Sequence, residues 1–304
     1  MCELPRFFDI SLEYFFAKST AKWYFVQKIT FMGTEGLQPR VEQWIDKQVA
    51  FGRNAFSLDR AESELPQYSE TAIKRSLNRL SRKGKIVSAH KGYYVIVTPQ
   101  YASRGILPPV LFIDGLMRFL ERSYYVGLLN AAAFYGAAHQ VPQEFFVFTT
   151  FPVMRPTVKK GIKINYLTRK DIPTHLLEER KTETGTIKIS SPELTAADLV
   201  QHHKRVGGLN RVVEILSELN DAIRIEKLNR QFIESVPTAV IQRLGYLLET
   251  GIGAESLAEA LYRSADLKGE KLFPVPLTPT RRKRGFPVET RWKVIVNETI
   301  DTER

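Results

Sequence analysis

One cysteine, Cys2, is all the thiol that this chain of 304 residues has. A lone thiol excludes an internal disulfide and any multi-cysteine zinc site, and it fits a reducing compartment, so the cytoplasm is the expected location. Long apolar runs are missing too. The longest, Tyr124 to Ala138, falls short of the ~20 residues a bilayer-spanning helix needs, and no membrane partner is expected. The aromatic N-terminus (Phe7, Phe8, Tyr14, Phe15, Phe16) is broken by Glu3, Asp9, Glu13 and Lys18, which leaves no h-region of a signal peptide. There is no internal repeat and no G-x-x-x-x-G-K-[ST] loop, and Gly251, Gly253 and Ser256 imitate a dinucleotide fingerprint without its preceding strand. His139, His202 and His203 come with neither cysteines nor an H-E-x-x-H pattern. No cofactor, metal or catalytic set is expected, and the chain reads as a non-enzyme. Glu193 and Asp198 with Lys188 upstream are the one arrangement that could be read as a magnesium-binding nuclease set. Acids in the first turn of a packed helix are the reading favoured for them.

What the chain has in excess is positive charge. Forty-four Lys and Arg against 33 Asp and Glu leave +11 and a pI near 9.6, a balance that favours polyanionic partners. With 43% hydrophobic and 25% charged residues, composition is that of a globular protein. Length alone suggests about two domains.

Residues 1–36 form an N-terminal extension of uncertain role, and Met32 stands as an alternative start. From Arg40, Val41, Trp44, Ile45 and Val49 recur at helical spacing and Gly52 offers a stop. A second helix follows Ser57, carries Leu58, Ala61 and Leu65, and is closed by Pro66. A third is expected over about 70–83, with Ser69 as N-cap, Glu70 at the positive dipole end, Ile73, Leu77 and Leu80 as buried stripe and Gly84 as stop. Lys85 to Ala89 and Tyr93 to Thr98, joined by His90, Lys91 and Gly92, read as a hairpin. Three helices and a hairpin are the order of a winged helix-turn-helix, placed at 37–100, with 99–109 as linker.

Opposite its apolar stripe the third helix presents Lys74, Arg75, Asn78, Arg79 and Arg82, and Lys83, Lys85 and Lys91 continue the charge toward the hairpin. Arg bridges guanine O6 and N7 and Asn pairs with adenine N6 and N7, while the remaining cations suit phosphates. These eight residues are the expected DNA contacts. A solvated helix face is the bland alternative, and His90 is at least as readily an ordinary turn residue.

Beyond 106 the chain reads as a mixed α/β second domain, giving an α+β protein overall. Helices are expected near Val110 to Glu121 and Tyr124 to Ala138, with the small residues Gly127, Ala131 to Ala133 and Gly136 to Ala138 allowing close approach of another element. Strands follow at Glu144 to Thr150, Ile162 to Leu167 and Thr186 to Ile189. Helices then run from Glu193 to about His202 after Ser191 and Pro192, at Leu209 to Leu219, Ile225 to Ile233 and Thr238 to Leu248. Residues 271–304 read as a basic tail with a strand-like Trp292 to Val296, in which Arg281 to Arg284 are solvated, the favoured reading, or touch nucleic acid or an acidic protein.

Four stretches, Tyr93 to Tyr101 (YYVIVTPQY), Tyr124 to Gln140 (YYVGLLNAAAFYGAAHQ), Ser191 to Val200 (SPELTAADLV) and Gly207 to Val212 (GGLNRV), resemble the AbiEi antitoxin family of type IV toxin-antitoxin systems over about residues 37–250. The resemblance implies a winged helix that binds double-stranded operator DNA and represses its own operon, with homo-oligomers possible on DNA. It implies an antitoxin domain at 106–270 that counters an AbiEii-like nucleotidyltransferase toxin without a stable complex. The rival readings are a ligand-responsive transcriptional regulator with no antitoxin activity, and the nuclease above.

Overall fold

Two serines set the first helices in place. In a computed structural model describing residues 40–138, 142–266 and 272–300, Ser57 and Ser69 each turn a side-chain oxygen onto a first-turn amide, Arg60 and Ala72 respectively. They start α2 (Leu58–Glu64) and α3 (Glu70–Arg82), which follow α1 (Val41–Ala50) and a short strand β1 (Ala55–Ser57). Cys2, Met32, the N-terminal extension and His139 lie outside the described residues. After Gly84, whose φ of +72° suits glycine, β2 (Ile86–His90) and β3 (Tyr93–Ile96) form the expected hairpin. The sheet is three-stranded, order β1-β3-β2, because Ala55–Ser57 pairs antiparallel with β3. Val41, Trp44, Ile45, Phe56, Leu65, Ile73, Leu77 and Leu80 close a core of their own.

The linker does not hang free. Ile106 and Leu107 are buried, and Ala89, Tyr93 and Val95 of the hairpin join a second core with Leu107, Phe112, Val126 and Ile187. That core covers one side of a six-stranded sheet, order β6-β7-β5-β4-β9-β8. Its strands are β4 (Tyr124–Val126), β5 (Glu144–Thr149), β6 (Thr157–Lys159), β7 (Ile162–Thr168), β8 (Leu177–Thr182) and β9 (Gly185–Ser190), with α4 (Ile113–Phe119) packed near β9 and β1. β5 runs parallel to β7 and β4 parallel to β9, and the other pairings are antiparallel.

The helix expected over Tyr124 to Ala138 is therefore split: Tyr124–Val126 is a central strand, and only Leu128–Phe134 is helical (α5). Aromatic and β-branched residues suit a pleated surface buried on both faces. Gly127 makes the corner, since a Cβ there would meet Phe148 Cε2 at 2.5 Å. The other face of the sheet is covered by helices α6 (Pro192–Gln201), α7 (Leu209–Leu219), α8 (Arg230–Ser235), α9 (Thr238–Tyr246) and α10 (Glu255–Asp266), around a third core that includes Leu194, Leu216, Phe232, Leu244 and Leu261. The small residues of α5 do receive another element, α6, capped by Ser191 Oγ on the Leu194 amide. The chain is α+β, and no described helix is long and apolar enough to cross a membrane.

The strand expected within Trp292 to Val296 is present, and its partner ties the basic tail down. Val275–Pro276 (β10) pairs in parallel with Val294–Ile295 (β11), so Arg281 to Arg284 sit in a loop whose two limbs are joined. Trp292 is buried over Gly245, and Arg291 spreads over the Tyr262 ring at 4.6 Å while pairing with Glu249 and Glu259.

Candidate nucleic-acid interface

α3 is fixed from beneath. Ile73, Leu77 and Leu80 are at most 1% exposed, and Lys83, Gly84 and Lys85 return their amides to the carbonyls of Arg79, Ser81 and Leu80. The opposite side is open. Lys74, Arg75, Asn78, Arg79 and Arg82 are all exposed along it, as are Lys83, Lys85 and Lys91 beyond it. All eight residues expected as DNA contacts are thus solvent-facing, and seven of them run from the helix into the start of β2.

They are not equally free. Lys74 pairs with Glu70 one turn back, and Lys85 pairs with Glu42 of α1 at 2.5 Å, which holds the Glu42 carboxyl below its usual range and raises the lysine. Both pairs are exposed and are broken cheaply in favour of a phosphate. Among the described residues, the side chains of Arg75, Asn78, Arg82 and Lys91 hold no hydrogen bond or ion pair. The free donors therefore include Arg75 and Asn78, both of a type suited to base edges.

The hairpin is propped rather than projecting. Gly92 turns at φ +79°, and the His90 and Tyr93 rings lie 6.5 and 5.3 Å from Phe119 at the end of α4. Gly115 of α4 leaves room for the Tyr93 hydroxyl, which a Cβ there would overlap. His90 places Nδ1 3.1 Å from the Lys91 carbonyl, and the Lys91 side chain is exposed at the tip.

The nuclease set does not assemble. Glu193 is buried and accepts the Arg224 amide at 3.0 Å, while Lys188 stands exposed between buried Ile187 and Ile189. Asp198 is consumed in the interior: Tyr125 Oη donates to it at 2.7 Å and Arg169 Nη1 at 3.0 Å, and the Arg169 guanidinium also holds the Ser235 carbonyl. Among the described residues no group of three or more His, Cys, Asp or Glu could hold a metal ion. Sequence reading missed this Tyr125–Asp198–Arg169 network. Tyr125 and Asp198 lay within two of the stretches singled out above, but nothing local marked Arg169.

Titration in this interior has two opposed signs. Burial pushes Asp198 up to about 6 against the pull of Arg169, so between its usual 3.8 and 6 the native chain holds a proton that the unfolded chain releases. That contribution is lost as pH rises through this window. His202 one turn on is pushed down by burial to about 4 from 6.5, so the unfolded chain takes the proton first and stability is lost as pH falls. The two slopes oppose each other between about pH 4 and 6. Asp198→Asn should expose a loss of stability toward acid, and His202→Gln a loss toward neutrality, read as urea midpoints from pH 4 to 7. Parallel profiles in the two variants would refute the assignment.

Residues 125–250 match the family model of the AbiEi antitoxin C-terminal domain. No curated protein matches the sequence significantly. Among solved structures, the crystal structure of the RV2827C protein from Mycobacterium tuberculosis superposes with a TM-score of 0.59 at 17% identity, covering 86% of this chain and 94% of that one. At that identity the likeness is one of fold.

Proposed function

We propose, from the premise that residues 125–250 are an AbiEi antitoxin C-terminal domain, that the chain is the antitoxin of a type IV toxin-antitoxin system. Residues 37–100 are its winged helix-turn-helix, which binds double-stranded operator DNA and represses the operon. Residues 106–270 counter an AbiEii-like nucleotidyltransferase toxin in the cytoplasm without a lasting complex. Arg75, Asn78 and Arg79 read bases, with Lys74, Arg82, Lys83, Lys85 and Lys91 on phosphates.

The observation that carries the DNA half is the cationic side of α3, open to solvent while its apolar side closes a core. A helix so presented fits the major groove, where Arg and Asn have bidentate partners on guanine and adenine. The antitoxin half is carried by the domain match. Growth of cells expressing the neighbouring nucleotidyltransferase gene tests it. Co-expression of this chain should restore growth, and should still do so with Arg75 and Arg79 changed to Glu under a foreign promoter. Failure of the unaltered chain to rescue leaves a transcriptional regulator only.

A further inference from the structure

The loop carrying Arg281 to Arg284 is held at its base by backbone and side-chain hydrogen bonds. At its base Val275 and Leu277 donate to the carbonyls of Lys293 and Ile295, and Glu289 and Val296 close the other limb on Val294 and Pro287. Asn297, 2% exposed, works like a rivet: its Oδ1 takes the Thr278 amide at 2.9 Å, and its Nδ2 donates to the carbonyls of Thr278 and Arg282. Arg281 bonds Glu298 at 3.0 Å, and Thr278 Oγ1 donates to the same carboxylate.

Above this base the charges are unanswered. Arg282, Lys283 and Arg284 are exposed, and their side chains hold no ion pair among the described residues. Adjacent cations lie well within the ~10 Å screening length of 0.1 M salt and repel one another. A segment serving only solubility would relieve that repulsion by staying loose, whereas here a buried asparagine fixes the backbone in their midst. Gly285, at φ +88°, then turns the chain so that Phe286 (43% exposed) and Val288 (44% exposed) follow at the surface.

We infer that this loop is a second nucleic-acid site, separate from α3, and that its ligand is a single strand. A loop backbone that is already pinned has less freedom to lose when its cations grip a phosphate backbone. An aromatic face beside them gives an unpaired base a platform, a combination suited to single strands, whose bases are free to stack, rather than to a duplex, whose bases are not. An acidic protein would use the charges and leave Phe286 without a role. The inference does not depend on operator reading by α3.

Fluorescence anisotropy of the full chain with a labelled oligo-dT of about 20 nucleotides, beside operator duplex, tests it. Arg282→Glu, Lys283→Glu and Arg284→Glu combined should weaken oligo-dT by about tenfold or more, and Phe286→Ala alone by about fivefold, with operator affinity kept within about twofold. Arg75→Glu with Arg79→Glu should do the reverse, losing operator and keeping oligo-dT. All changed residues are exposed, and unchanged thermal unfolding confirms that each variant folds. Oligo-dT binding unaltered by the triple reversal overturns the site. So does a Phe286→Ala variant that binds as well as the unaltered chain, or a triple variant that loses operator as heavily as single strand. Operator binding that survives reversal at Arg75 and Arg79 overturns the role of α3 and leaves the loop standing.

Discussion

Reversal of Arg75 and Arg79 to Glu should abolish operator binding in a gel shift. A good pairing between a side chain and a base edge is worth about 1–3 kcal/mol, so removing two of them lowers affinity roughly 30-fold to 10⁴-fold before the added repulsion from phosphates is counted. The expectation is specific because neither residue supports the fold. Both are exposed, and the stripe that holds α3 is Ile73, Leu77 and Leu80 on the far side. The variant should therefore unfold at the same temperature as the parent. In the parent, engagement of ~6–10 phosphates should cost about 10³–10⁵ in affinity between about 50 and 200 mM salt. An undiminished shift with the double variant, or a flat response to salt, removes α3 from the interface.

The largest loss of stability is expected at Trp292. Its indole is 1% exposed, meets Tyr262 edge-on at 5.4 Å and donates to Glu249 at 2.6 Å, while its backbone carbonyl takes the Gln242 amide. Truncation to Ala should cost about 3–5 kcal/mol, in the range for a large aromatic removed from a packed interior, and lower the urea midpoint accordingly. Gly245→Val attacks the same packing from the other side, because a Cβ there would overlap the ring. A loss below about 1 kcal/mol in Trp292→Ala would show that the strap formed by β10 and β11 adds little to the helices beneath it.

Elements specified by local rules were legible in the sequence, and those specified by neighbours were not. α3, α6 and α7 announce themselves through a serine or glycine at the start and apolar residues at helical spacing. β4 was read as helix because Tyr124, Tyr125 and Val126 form a short apolar run, and such a run is strand or helix according to what covers it. β8 leaves no signal for the opposite reason: Leu177–Thr182 (LEERKT) is an edge strand that presents charge to water and looks like loop. α10 was passed over although Leu257, Ala258 and Leu261 mark a buried side. At the candidate interface, helical periodicity placed Lys74, Arg75, Asn78, Arg79 and Arg82 at the surface, and the hairpin pattern placed Lys85 and Lys91 there. The acidic partners of Lys74 and Lys85 differ in this respect, since Glu70 lies a turn away and Glu42 reaches across from α1. Arg169 meets Asp198 across 29 residues of chain, a distance over which composition carries no signal.

Tyr93 belongs to the hairpin, yet its ring is sealed against Phe119 and its hydroxyl rests on Gly115. The hairpin and the cationic helix beside it are thus bolted to the chassis instead of swinging on a tether. Snipping the polypeptide near residue 98 would strand Ala89, Tyr93 and Val95 as an oily flank in water. Any jolt that displaces α4 reaches the hairpin through solid material.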